Sequence, residues 1–169
     1  MNARKYQYVG PQEIKKVALA SGTGGYQIET KLTLLAWLES QEADVETNGT
    51  IVATFTISID GNLFLAPRRS EHVACALGGP VLSAGEMTFE TDGSVSEITN
   101  QSTGFCPEPT SWPVVAVALN RLGIAHPGEF TTKVLFRLCP SCKQRNLIKD
   151  DWYICALCGA ELPEAWNFS

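Results

Sequence analysis

The chain has 169 residues, 44% of them hydrophobic, and 13 basic against 18 acidic side chains leave a formal net charge of −5. That length holds one ordinary domain plus a small second module, the hydrophobic content is that of a folded chain, and the acidic balance argues against nucleic acid as the default partner. No apolar run approaches the roughly 18 residues of a spanning helix, and the opening Met-Asn-Ala-Arg-Lys-Tyr6 leads to no signal-peptide core, so a cytoplasmic protein without a membrane partner is expected.

In chain order, Gly10-Pro11-Gln12-Glu13 has the proline and the acid that favour a helix start, and Ile14, Val17 and Ala18 recur at helical spacing. Ser21-Gly-Thr-Gly-Gly25 breaks this first helix. It follows a helix and lacks the Gly-Lys-Ser/Thr ending of a phosphate loop, so it reads as a flexible connector. A second helix is predicted over roughly 29–41, where Leu32, Leu34, Leu35, Trp37 and Leu38 make it apolar nearly all round and well buried.

From Thr50 the period changes to two. Ile51, Ala53, Phe55, Ile57 and Ile59 alternate with Thr54, Thr56 and Ser58, a half-buried strand. Asp60-Gly61 predicts a hairpin turn with positive φ at both central positions, Leu63-Phe64-Leu65 returns, and Pro67 ends the strand or marks an edge. Val81 to Glu90, the turn Asp92-Gly93 and Val95 to Thr99 repeat the plan, giving an antiparallel sheet or small barrel. Thr110-Ser111-Trp112-Pro113 then offers a capping hydroxyl for a helix over roughly 112–122, stopped by Gly123, and Phe130 to Leu138 reads as a strand.

That strand leads directly into Cys139-Pro-Ser-Cys142, which is followed after twelve residues by Cys155-Ala-Leu-Cys158. Two C-x-x-C knuckles at this spacing place four thiolates on one ion, and Pro140 and Gly159 suit the tight turns required. Cys139, Cys142, Cys155 and Cys158 are therefore assigned as the ligands of one zinc ion. A closed tetrahedral shell leaves no position for an activated water, so the metal is structural. Arg145 to Ile148 and Trp152 to Ile154, around the polar Lys149-Asp-Asp151, are expected to form a hairpin between the knuckles, making residues 138–169 a zinc ribbon packed on an α+β domain of residues 1–137. Around Arg137, Lys143, Arg145 and Lys149 a local basic patch remains conceivable, although Asp150, Asp151, Glu161 and Glu164 balance it.

Outside the ribbon, Glu71-His72-Val-Ala-Cys75 and Asn100-Gln-Ser102-Thr-Gly104-Phe-Cys106-Pro107 flank the second hairpin. If a barrel closes there, His72, Ser102 and Cys106 converge as candidate catalytic residues, with His72 activating the Cys106 thiol. His72, Cys75, Cys106 and His126 are a conceivable second metal set, without a known zinc spacing. The alternative places Cys75 on a strand as a small buried hydrophobe, His72 as a satisfied structural residue and Cys106 at a turn.

His72, Gly78-Gly79, Ala84-Gly85-Glu86, the Asp92-Gly93 turn, Asn100-x-Ser102 and Phe105-x-Pro107 together resemble a module found in plant IQ-motif proteins that bind calmodulin and in bacterial effector-like proteins. In that module the last element usually reads Ser-Gly-His-Tyr-x-Pro; Gly104 and Phe105 stand here at the histidine and tyrosine positions, so the resemblance implies no reactivity of such a pair. The whole chain, with Ser70 to Cys75, Asn100 to Gly104 and the terminal ribbon, is similar to small uncharacterised bacterial proteins.

The resulting expectation is an α+β protein with N-terminal helices, an antiparallel sheet or small barrel, one further helix and a C-terminal zinc ribbon. With a closed ion, an acidic charge and no catalytic set, it reads as a protein-binding or adaptor module. An enzyme, or a degenerate one, around His72, Ser102 and Cys106 is the alternative, and nucleic-acid binding through the ribbon is the third. Trp152, Tyr153, Trp166 and Phe168 are the aromatic candidates for a contact surface, though aromatics beside a ribbon more often form its core.

Overall fold

The structure, a computed structural model, describes residues 2–168. Two Asp-Gly turns organise its centre. Strands β2 (Ile51–Ser58) and β3 (Leu63–Pro67) flank the first, and β4 (Val81–Phe89) and β5 (Val95–Thr99) flank the second. In both turns only the glycine takes positive φ, +79° at Gly61 and +81° at Gly93. Gly61 N–H donates to Ser58 O, Gly93 N–H to Glu90 O, and the loops close through Ser58 N–H to Asn62 O and Glu90 N–H to Ser94 O. These are three-residue loops ending in one left-handed glycine, a correction to the two-residue turn read from the sequence.

The strands lie in the order β1-β3-β2-β4-β5, all antiparallel, with β1 (Tyr26–Ile28) at the edge beside β3. The sheet stays open; it does not close as a barrel. Helices cover both faces. On one, α2 (Lys31–Glu39) and α4 (Trp112–Arg121) pack Leu34, Trp37, Leu38, Val115 and Leu119 on Phe55, Ile57, Leu65 and Met87. On the other, α1 (Gln12–Ala20) and α3 (His72–Cys75) bring Ala18, Val73 and Ala74 against Val81, Ala84 and Phe105.

The structure departs from the sequence reading at four points, the first two of which follow from this double cover. Strand β2 is not half-buried: its threonine face lies under α3, where Thr54 Oγ1 donates to Arg68 O (3.1 Å) and Thr56 Oγ1 meets Cys75 Sγ (3.6 Å). Cys75 accordingly sits on a helix, not a strand. The glycine run after α1 is no slack connector either, because a side chain at Gly25 would strike the Cys75 carbonyl, and Gly25 N–H donates to Ala74 O. Helix α2 is also less buried than its composition implies, with Leu32 at 78% exposure. Its start is set by a capping box that the apolar pattern hides: Thr30 Oγ1 accepts from Thr33 N–H (3.1 Å), and Thr33 Oγ1 from Thr30 N–H (3.0 Å).

Helix α4 ends as expected, with Gly123 N–H bonded to Asn120 O and Ile124 N–H to Leu119 O. Its start differs. No side chain caps it, because Ser111 Oγ is spent on Ser83 Oγ at 2.8 Å inside the core.

The chain then runs along β5, with a parallel bridge between Thr99 and Thr132, into β6 (Leu135–Leu138). This strand pairs with β7 (Arg145–Ile148), so the ribbon hairpin spans the first knuckle, and the hairpin expected between the knuckles is not formed. The reason is register: Cys139 N–H to Gln144 O continues the β6–β7 ladder into the knuckle turn. The 137/138 division drawn from the sequence falls inside β6.

Candidate metal centre

The two knuckles are built alike. In the first, Cys139 N–H donates to Gln144 O and Lys143 N–H to Cys139 O; in the second, Cys155 N–H donates to Ala160 O and Gly159 N–H to Cys155 O. The fifth residue of each turn is left-handed, Lys143 at φ 63° and Gly159 at φ 74°. Glycine adopts that conformation freely, whereas Lys143 takes a strained one that the turn imposes.

Each turn aims two sulfurs at one point. Cys139 and Cys158 Sγ are 3.6 Å apart, as are Cys142 and Cys155 Sγ, and all four sulfurs lie within 4.8 Å of one another. A disulfide needs about 2.05 Å, so these are free thiols. Tetrahedral thiolate coordination with metal–sulfur bonds of about 2.3 Å has edges of about 3.8 Å, close to the observed separations. The donor set therefore fits a metal ion, and it is the one such cluster of His, Cys, Asp or Glu among the described residues.

Polar groups around Cys139 and Cys155 favour their thiolates. The Cys142 N–H holds Cys139 below the ordinary thiol value, and the Cys158 N–H, helped by Leu157 N–H and Asn146, brings Cys155 down to about 6. Cys142 is drawn down by the Gln144 N–H but pushed up by burial and by its three sulfur neighbours, to about 12. Four negative sulfurs this close need a cation to coexist. Asn146 is the second-layer residue that spacing did not reveal: buried on β7, it donates to Cys155 Sγ (3.5 Å) and accepts from Ala156 N–H (3.0 Å), tying the second knuckle to the first hairpin.

No family model, curated protein or solved structure matches the chain.

The central candidates are placed separately. His72 Nε2 lies 3.0 Å from Gly85 O, which can only accept, so this nitrogen carries the proton; burial holds the imidazole below its ordinary value. Cys106 Sγ donates to Thr103 O (3.5 Å) among Val134, Phe136 and Phe168, and burial raises it to about 12. Cys75, on α3 and facing the threonines of β2, is likewise raised to about 12 by burial. His126 Nε2 meets Asn120 Oδ1 at 3.0 Å, with its ring against Trp112. Thus His72, Cys75, Cys106 and His126 are not gathered into a metal site; Cys106 N–H donates to Ser102 O at 2.7 Å, but no side-chain hydrogen bond joins His72, Ser102 and Cys106 among the described residues. Ser102 Oγ is the one buried side-chain N or O atom among them without a partner.

Asn100 is the organiser of this region. Its Nδ2 donates to Pro107 O (2.9 Å) and Val134 O (2.7 Å), and its Oδ1 accepts from Val134 N–H (2.8 Å). The chain leading to the ribbon is thereby sewn to the segment that carries Ser102 and Cys106.

Proposed function

We propose that this chain is a zinc-ribbon protein acting as a protein-binding adaptor, in which Cys139, Cys142, Cys155 and Cys158 hold a structural zinc ion. Thiolate ligands in tetrahedral array favour zinc over harder cations, and four protein donors close the shell to water and substrate. The buried, high-pKa thiols of Cys75 and Cys106 lack the electropositive exposure of reactive cysteines.

The observation that carries the adaptor reading is the asymmetry among the aromatic side chains. Tyr153 packs beside the knuckles, Trp166 stacks edge-on against Tyr6 with ring centroids 5.5 Å apart, and Phe168 covers Cys106. Trp152 is instead 68% exposed, and Leu157, inside the second knuckle, is 70% exposed. An exposed tryptophan is the kind of side chain that anchors protein contacts, and this supports the adaptor reading. The basic patch that nucleic acid would need is depleted, because Arg137 is buried against Glu108 and Arg145 is turned onto Thr103 O.

Native mass spectrometry tests the metal, with one zinc per chain expected. Trp152→Ala should keep that zinc and the fold while losing a stoichiometric protein partner in pull-down; a partner retained unchanged, or a nucleic acid recovered instead, would reject the reading. The second reading, an enzyme or degenerate enzyme at His72, Ser102 and Cys106, draws on the unpartnered Ser102 hydroxyl. It requires Cys106 or Ser102 to react with iodoacetamide or a fluorophosphonate at neutral pH in the native protein.

A further inference from the structure

A cavity of ≈ 600 Å³ lies where the N-terminal segment crosses β4 and the start of α4. Leu82, Pro113 and Val114 line it with apolar surface, Tyr6 and Thr110 add hydroxyl-bearing side chains, and Arg4 is its one charged residue among the described residues. Its size is that of a small-molecule site. The walls are firm. Tyr6 is bridged to Val81 by two backbone hydrogen bonds of 2.8 and 3.0 Å, and the Ser83–Ser111 hydroxyl pair fixes β4 against α4.

Arg4 is also positioned. Its guanidinium lies 4.7 Å from the centroid of Trp166, whose indole N–H is itself held by Cys106 O at 2.8 Å. No ion pair engages Arg4 among the described residues. The carboxylate beside Tyr6, Glu108, is occupied by Arg137 at 2.8 Å. In a chain of net charge −5, an apolar cavity whose single charge among the described residues is a stacked arginine outside their ion pairs has the chemistry of an anion receptor.

We propose that this cavity binds a small carboxylate with an apolar body, the guanidinium taking the carboxylate and Leu82, Pro113 and Val114 the hydrocarbon. One guanidinium matches a monoanion, whereas a phosphate dianion would leave charge facing no cation. This site is independent of the adaptor reading and of the metal centre.

Heteronuclear NMR titration of the metal-loaded full chain with naphthoate, and with naphthamide as its neutral counterpart, tests the assignment. Naphthoate should shift the amides of Leu82, Thr110 and Val114 and the Trp166 indole in a saturable way. Arg4→Gln should weaken naphthoate about tenfold, equivalent to about 1.4 kcal/mol, while naphthamide binds both proteins equally weakly. Val114→Phe, which fills the cavity and keeps Arg4, should abolish both. Shifts that map elsewhere, the absence of saturable shifts, or naphthoate binding indifferent to either substitution would overturn the proposal.

Discussion

Asn100 and His72 show how single side chains set the centre of the domain. Asn100→Ala would leave the Pro107 and Val134 carbonyls and the Val134 N–H buried without their partner. A loss of about 3 kcal/mol in urea unfolding is expected, and a loss under about 1 kcal/mol would contradict the role assigned to it. His72 makes stability depend on pH. Its folded pKa is depressed below 6.5, first by burial, with the Gly85 carbonyl opposing. The unfolded chain therefore takes up the proton more readily, so the contribution of the neutral ring is complete above 6.5 and is lost as pH falls through the folded value. Comparing urea midpoints at about pH 7.5 and about pH 5.5, the native protein should lose more on acidification than His72→Gln. Equal losses would mean that His72 is not held neutral.

At the scale of elements, the knuckles and β6–β7 behave as one unit, because each depends on the others for its hydrogen bonds. Metal coordination by such a set is worth about 10–16 kcal/mol in isolated zinc modules, more than so short a segment gains from apolar burial. Cys155→Ser should therefore abolish stoichiometric metal and make residues beyond Leu138 protease-sensitive; a resistant, metal-loaded variant would refute the assignment. Asn146→Ala should keep the metal at saturation but weaken its affinity about tenfold or more, read by competition with a chromogenic chelator. The cysteine spacing made the site legible, since four soft donors in two tight turns have few other uses. Asn146 was not legible, because an asparagine on a short strand carries no signature until its neighbours across the fold are known.

In the whole molecule, the two parts are joined by buried polar contacts and aromatic stacking. Arg137, 3% exposed, pairs with Glu108 at 2.8 Å and donates to Glu164 O from Nε (2.9 Å) and from Nη2 (2.6 Å). Asn167 pairs its side-chain amide with the Leu138 N–H (2.9 Å) and C=O (2.7 Å), as a strand would. Trp166 and Phe168 then press the tail onto Tyr6 and the Cys106 cluster. Arg137→Ala leaves Glu108 in a confined site without its cation, and a cost of about 3–5 kcal/mol is expected in chemical unfolding; a change within about 0.5 kcal/mol would show that the pair contributes nothing to docking. Among the described residues no helix is long and apolar enough to cross a membrane.

From the amino-acid order alone followed the α+β class, both hairpins, the helix stopped by Gly123 and a cluster of four cysteines able to hold a metal. Each rests on contacts between near neighbours: a period of two, a glycine where the chain must turn left-handed, or two cysteines within one knuckle. What only the tertiary structure decided depends on groups far apart in the chain. Helix α3 folding onto the threonines of β2 turned a half-exposed strand into a central one, and Ser83 diverted Ser111 from its cap. The β6–β7 ladder moved the ribbon hairpin across the first knuckle, and an open sheet covered on both faces kept His72 and Cys106 in separate hydrogen bonds. Local periodicity records which face of an element is apolar; it does not record what will come to lie on the other face.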